Sequence, residues 1–334
     1  MRKLSLEDAV ASYIQDGTQI MFGGFTGFVR EPMAFAWEIV RQGYKNLINP
    51  MVNSGFSTWL LHSTNAIRVK EDAWVGCGEI FAKLDLNADR CLKTKSMLVE
   101  DYAHGQMQMR LLAGALGVPF MPYWGGMGSE IFKYDILGEN NLRDGKLFPK
   151  KKYAMIEDPF YDQGKVPVVP ALQPEVGVIH AQKVGDEGTV RVEGLTGYDK
   201  ELAFACKTLI VTCEEVVPEI SLREQPQMNL VPFSKVDVLV EIPWGAYPTQ
   251  VPYYYDYDPV AMREADRIQR DEEMMNKWLE EWVYTPKDWK DVMDKIGGYR
   301  LSSLTANRFL GYSLKNKRGE VLPPEIYMPL QWRR

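Results

Sequence analysis

Twice in this chain a short apolar run ends directly in paired glycines: "TQIMFGGFTGFVREP" at residues 18–32 and "PFMPYWGGMGSEI" at residues 119–131. An apolar strand that gives way to glycine, and then in the first case to a proline able to open a helix, is the pattern of a strand-to-helix turn whose missing side chains leave the backbone approachable. Further apolar runs, in "EVGVIHA", "TLIVTCEEVV" and "VDVLVEIPWGAYPTQ", each lead into polar or glycine-containing sequence. These runs suit strands buried on both faces. With helices between them, they predict an α/β fold on an open, mostly parallel sheet.

The helices announce themselves by their ends. Ser5 with Asp8 three residues on forms a capping pair before Ala9, Val10, Tyr13 and Ile14, and Gly17 stops the run. Residues 32–41 read as a second helix with proline in its first turn and Gly43 just past its end. Residues 103–116 read as a third, ended by Gly117 and Pro119. Residues 133–165 are polar and read as an excursion from the core. From Pro259 the composition shifts to a long charged helix, "PVAMREADRIQRDEEMMNKWLEEWV", and a second helix is expected from Thr285-Pro286 to Gly297-Gly298. Met262, Ala265, Ile268, Met275, Trp278, Leu279 and Trp282 form an apolar stripe on the first, suited to packing on the core or to an intersubunit contact. The expected division is an α/β domain at 1–258 and a charged helical arm and tail at 259–334.

Composition narrows the function. The chain has 334 residues, 46% hydrophobic and 25% charged, with net charge −6 and no basic run beyond Lys150–Lys152, which excludes nucleic acid as the main partner. Cys77, Cys91, Cys206 and Cys213 lack C-x-x-C spacing and read as reduced, buried thiols of a cytoplasmic protein. Glu7 and Asp8 fall where a signal peptide needs its apolar region. Leu111 to Ser129 is uncharged, but five glycines and two prolines in those 19 residues make it a poor membrane span.

The motifs exclude several familiar chemistries. "GGFTGF" is neither G-x-G-x-x-G nor a P-loop, since about eight residues separate Gly24 from Pro32. A wide loop opening on two glycines can still present backbone to a thioester carbonyl or a phosphate-bearing arm. His62, His104 and His180 have no metal-ligand spacing, and no G-x-S-x-G is present. His180, inside an apolar run, reads as a satisfied core histidine. His104, beside Glu100, Asp101 and Tyr102, reads either as part of an acidic helix start or as a polar cluster facing a site. Ser129-Glu130 suggests a nucleophilic glutamate or, more simply, a cap for the turn that follows.

Five segments in register, "DGTQIMFGGFTGFVREP", "VEDYAHGQMQMRLLAGALGVPFMP", "ALQPEVGVIHAQKVGDEGTVRVEG", "LIVTCEEVV" and "PWGAYPTQ", resemble the class I CoA-transferase family, on the A-subunit side of its glutaconate CoA-transferase branch. The likeness runs from about residue 4 to 312. It implies a CoA-transferase-like α/β fold, a coenzyme A thioester as substrate with no bound cofactor or metal, and a homologous B subunit in an αβ or α2β2 assembly. That B subunit would carry the nucleophilic glutamate in an S-E-N-G motif. "GSEI" at 128–131 only approximates that motif, so Glu130 is not assigned the role.

The resemblance makes Gly23, Gly24, Phe25, Thr26, Tyr102, Gly125, Gly126, Gly128 and Ser129 the expected lining of the acyl-CoA site. The chain departs from the family's first signature at Val29, where a glycine is usual, and at Pro32, one position late. The same fold also hosts hydrolases that open a cyclic diketone on a CoA thioester. In that alternative Glu100, Asp101 or His104 would be the base. A third alternative is a non-catalytic scaffold subunit.

Overall fold

The computed structural model describes residues 1–25, 27–76, 85–162, 164–307 and 312. The chain alternates from its start: β1 (Arg2–Lys3), α1 (Leu6–Tyr13), β2 (Ile20–Phe22), α2 (Met33–Gln42), β3 (Leu47–Pro50), α3 (Phe56–Ser63), β4 (Ile67–Asp72), α4 (Leu86–Lys93), β5 (Leu98–Asp101) and α5 (His104–Leu116). Local chemistry sets these boundaries. The Ser5 side chain accepts from the Asp8 amide at the start of α1, and Gly43 and Gly117 end α2 and α5 at φ +82° and +70°.

Next come β6 (Phe120–Pro122), α6 (Ile136–Glu139), β7 (Ala154–Glu157), β8 (Lys165–Pro170), β9 (Val176–Gly185), β10 (Val190–Arg191), α7 (Asp199–Ala205), β11 (Thr208–Val217), α8 (Glu219–Arg223), β12 (Asn229–Val231) and β13 (Val238–Glu241). The main sheet runs β1-β13-β11-β9 in parallel, with β2 parallel to the first half of β9 and the short β10 antiparallel to its second half. A single parallel bridge from Gln19 to Ile48 carries the sheet on into the parallel trio β3-β4-β5. The carboxyl ends of β2, β3, β4, β5, β9, β11 and β13 therefore share one edge, and helices flank the sheet.

Three local expectations change. The second apolar run, β6, does not join the parallel sheet; it pairs antiparallel with β8 in a separate sheet β6-β8-β7. Glu100 and Asp101 lie on β5 rather than in the first turn of a helix, so they point to opposite faces, Glu100 buried and Asp101 exposed. The long charged helix is broken into α9 (Pro259–Ile268) and α10 (Glu272–Leu279), because Asp271 turns its carboxylate onto the Met274 amide at 2.8 Å and starts a new helix.

After a wide π turn at Glu280–Tyr284, α11 (Trp289–Ile296) starts at its own cap, Asp288, later than Pro286, and α12 (Gly298–Leu304) follows Gly297. Met262, Ala265, Ile268, Met275 and Leu279 of the stripe are buried in the same core cluster as the sheet, with Trp278 and Trp282 packed against it. The polar segment 133–165 is held down by Leu137 and Phe148, which pack on Ile48 and Val69 of the trio. Among the described residues no helix is long and apolar enough to cross a membrane, and the Leu111–Ser129 stretch is divided between α5, β6 and a loop.

Candidate active site

In an open parallel sheet the carboxyl edge is where loops leave room for a ligand. The double-glycine turn stands on that edge, beyond β2. The Gly23 amide donates to Val178 O at 2.8 Å, the Gly24 amide to Asp199 Oδ1 at 2.7 Å, and the Phe25 amide to Val29 O at 2.9 Å. With all three amides committed inside the chain, these residues cannot serve as backbone donors to an oxyanion. Their contribution is steric: Gly24 has φ +102°, and a Cβ there would lie 2.8 Å from Val29 O. A Cβ on Gly23 would collide with the Asp199 carboxylate. Thr26 lies outside the described residues.

Beneath the turn sits a buried charge cluster. Arg30 pairs with Asp199 and donates to His180 O at 3.1 Å and Leu195 O at 2.5 Å. Burial raises the Asp199 carboxyl above the usual aspartate range, while Arg30 and the Gly24 amide pull it back. One step along the chain, Glu31 is buried at the N-terminus of α3, where it accepts from the Ser57 hydroxyl, and burial pushes its carboxyl up to about 7. On β4, Lys70 donates to Asn49 Oδ1 at 2.7 Å and lies 3.2 Å from Asp72, and its burial lowers the ammonium. Asp72 in turn accepts from the Ser54 hydroxyl and the Ala73 and Trp74 amides. The loops after β2, β3 and β4 are thus tied together by buried polar contacts.

The second glycine loop reaches the same edge from outside the parallel sheet. A Cβ at Gly126 would lie 3.3 Å from Gln106 Nε2, and Gly105 leaves space for the Tyr123 ring, so residues 123–128 lie against the first turn of α5. Gly125 and Gly126 are half-buried and Gly128 exposed; the Ser129 hydroxyl donates to Gly126 O at 2.6 Å and closes the loop. The Gly23-Gly24 turn follows β2, whereas this loop lies against α5, which follows β5, three strands along the sheet. They bound one long edge rather than one tight constellation.

The polar residues after β5 separate by environment. Glu100 is fully buried: its Oε2 accepts from the Leu137 amide at 2.9 Å and Arg143 Nη2 at 3.1 Å, its Oε1 lies 2.6 Å from Lys152 Nζ without a hydrogen bond, and burial raises the carboxyl. It pins the 133–165 segment to β5. Tyr102 is buried, with Arg110 and Lys152 over its ring at 4.3 and 5.1 Å, and burial raises its phenol. Asp101 and His104 are exposed, and partial desolvation lifts the Asp101 carboxyl. Glu130 is an exposed member of a short 3-10 turn, 3.7 Å from Lys133, and the Ser129 side chain does not cap that turn.

His180 is the satisfied core histidine its setting implied, at 2.8 Å from Thr212 Oγ1 and 2.7 Å from Glu214 Oε1. Cys91, Cys206 and Cys213 are buried free thiols, and Cys77 lies outside the described residues. The sequence reading missed Arg30, Glu31, Lys70, Asp72 and Asp199. One signal was available, since charges inside apolar runs, as in "RVKED" and "FVREP", need partners.

An open, mostly parallel α/β sheet with a glycine turn at its carboxyl edge is the architecture of α/β proteins that bind ligands beyond the ends of their strands. The family model for coenzyme A transferase matches residues 3–242, and the chain belongs to that family. It is 32% identical to the A subunit of glutaconate CoA-transferase from Acidaminococcus fermentans, over 93% of this chain and 97% of that one. The crystal structure of that glutaconate coenzyme A-transferase superposes with TM-score 0.88 at 31% identity, covering 94% of this chain and 98% of the other. The A subunit of 3-oxoadipate CoA-transferase from Pseudomonas knackmussii is 29% identical over 88% and 97% of the two chains. The cholesterol ring-cleaving hydrolase IpdA subunit of Rhodococcus jostii is 24% identical over 87% and 90%.

Proposed function

We propose that this chain is the A subunit of a heteromeric CoA-transferase that moves coenzyme A between an acyl-CoA and a free carboxylic or dicarboxylic acid. The observation that carries this reading is near full-length agreement with glutaconate CoA-transferase in sequence and fold, together with the double-glycine turn at the carboxyl edge of the sheet. Among the described residues, neither Glu100, with its three partners, nor Glu130, on an exposed turn, suits a nucleophile. A homologous B subunit supplies that glutamate. It attacks the acyl-CoA carbonyl and expels CoA thiolate to give an acyl anhydride, the thiolate attacks the glutamyl carbonyl to form the glutamyl thioester and releases the donor acid as its carboxylate, and the acceptor carboxylate then runs the two steps in reverse.

This chain's part is positional. The Gly23-Gly24 turn, packed closely on Asp199 and on the 29–31 backbone, forms the floor on which the thioester and the partner's carboxylate meet, and the 125–129 loop walls the acyl end. The assembly is αβ or α2β2 and works in the cytoplasm.

A ring-opening hydrolase is the second reading, favoured by one observation: Asp101 and His104 are exposed at the carboxyl end of β5, where a base has access to water. The test uses the chain copurified with its natural partner, incubated with a panel of acyl-CoA thioesters with and without free acids and followed by mass spectrometry. A new acyl-CoA that appears only with an acceptor supports the transferase. A product one water heavier, formed without acceptor and with CoA still attached, replaces it with the hydrolase.

A further inference from the structure

Arg30 holds a backbone conformation that its residue type resists. Its φ is +56°, in the left-handed region, and its side chain is fully buried. Its guanidinium pairs with Asp199, 169 positions away, and reaches His180 O on β9 and Leu195 O in the loop before α7. Asp199, the first residue of α7, uses its other oxygen on the Gly24 amide. Four separate pieces of chain therefore meet on one ion pair: the glycine turn, β9, the 195 loop and the start of α7.

Stability alone is a poor reason for this arrangement. A buried ion pair is commonly no better for stability than apolar residues of the same volume, and the left-handed Arg30 adds strain. What the pair provides is a fixed place for the turn. Asp199 fills the space that a side chain at Gly23 would need and holds the Gly24 amide, while Arg30 holds Asp199 from behind.

We propose that Asp199 and Arg30 are positioning residues for CoA transfer, which hold the Gly23-Gly24 turn at one depth so that the bound thioester and the partner's carboxylate meet in register. The proposal rests on the reading that this turn lines the reacting centre. A misplacement of about 1 Å at such a place costs on the order of a hundredfold in rate.

The experiment uses the full chain assembled with its partner subunit. Asp199→Asn keeps the volume and an acceptor for Gly24 but removes the charge that holds Arg30. Hydrogen exchange across residues 22–30 is expected to speed up, kcat per folded enzyme to fall about ten- to a hundredfold, and KM for acyl-CoA to change far less. Arg30→Gly relieves the strain and leaves a guanidinium-shaped space, so millimolar guanidinium is expected to restore part of the lost kcat. Unchanged exchange in Asp199→Asn overturns the tie itself. Faster exchange with unchanged kcat and KM overturns the positioning role and removes the turn from the reacting centre, whichever acyl-CoA is used. If Asp199→Asn fails to assemble, Arg30→Gly decides: a loss of kcat that guanidinium does not relieve overturns the proposal.

Discussion

Glu31 and Ser57 meet at the carboxyl edge of the sheet, the serine hydroxyl donating to a carboxyl that is almost wholly shut off from solvent at the start of α3. Burial outweighs the hydrogen bonds from Ser57 and the Lys70 charge on β4, the Asp199 carboxylate on α7 adds its repulsion, and the carboxyl is pushed up to about 7.

That placement makes stability depend on pH in an unusual direction for a glutamate. Below about pH 4.5 the carboxyl is protonated in folded and unfolded chains alike. As pH rises toward 7 the unfolded chain releases its proton first, so the folded state loses up to about 3 kcal/mol across that window and no more above it. Glu31→Gln keeps an acceptor for Ser57 and is expected to flatten this part of the profile and to be the more stable protein at pH 8. Denaturant unfolding at pH 4.5, 6 and 8 checks it; parallel profiles for the two proteins would reject the assignment.

Glu100 yields a different expectation because its charge is compensated. Replacing it by Gln leaves the almost wholly buried Lys152 without its carboxylate, while Arg143 keeps Asp135 at 2.6 Å, a change that costs up to about 3–5 kcal/mol. The damage should be local first, with residues 133–165 becoming open to protease before the sheet does. Retained stability with lost turnover would instead mark Glu100 as a participant in the chemistry.

Asp101 and His104 separate the two functional readings. Both are exposed, so Asp101→Asn and His104→Ala are expected to change stability by no more than about 0.5 kcal/mol. In a CoA-transferase neither substitution stops turnover with an acid acceptor. If the copurified complex opens a ring, one of them abolishes that activity while assembly, read by gel filtration, stays intact.

What the sequence made legible was local. Ser5, Gly43 and Gly117 mark helix ends because capping and left-handed closure involve residues a few positions apart. The double glycine was legible as a strand exit for the same reason. Its use of amides was not, because the acceptors come from Val178 and Asp199, more than 150 positions later, and no periodicity records such pairings. β6 misled for a related reason: "PFMP" is as apolar as "QIMF", and an apolar run does not say which strand will lie beside it or in which direction. The break between α9 and α10 depended on Asp271 favouring a cap over a continuous helix, a balance of about 1 kcal/mol that a charged sequence does not display.

The helical arm carries the last test, because one buried side chain in it, Gln269, reaches two other helices. Gln269, fully buried just past α9, accepts from Trp59 Nε1 and from the Leu86 amide, both at 3.1 Å, while its own carbonyl accepts from Arg90 at 2.9 Å. One amide thus joins the arm to α3 and to the start of α4. Gln269→Leu keeps the size but leaves a buried indole N–H and a backbone N–H without an acceptor, each worth about 1–3 kcal/mol. Because Met262, Ala265, Ile268, Met275 and Leu279 sit in the same core as the sheet, that loss is expected to lower a single calorimetric transition. Two separated transitions in the variant would mean that the arm folds as its own unit and that Gln269 only latches it to the sheet.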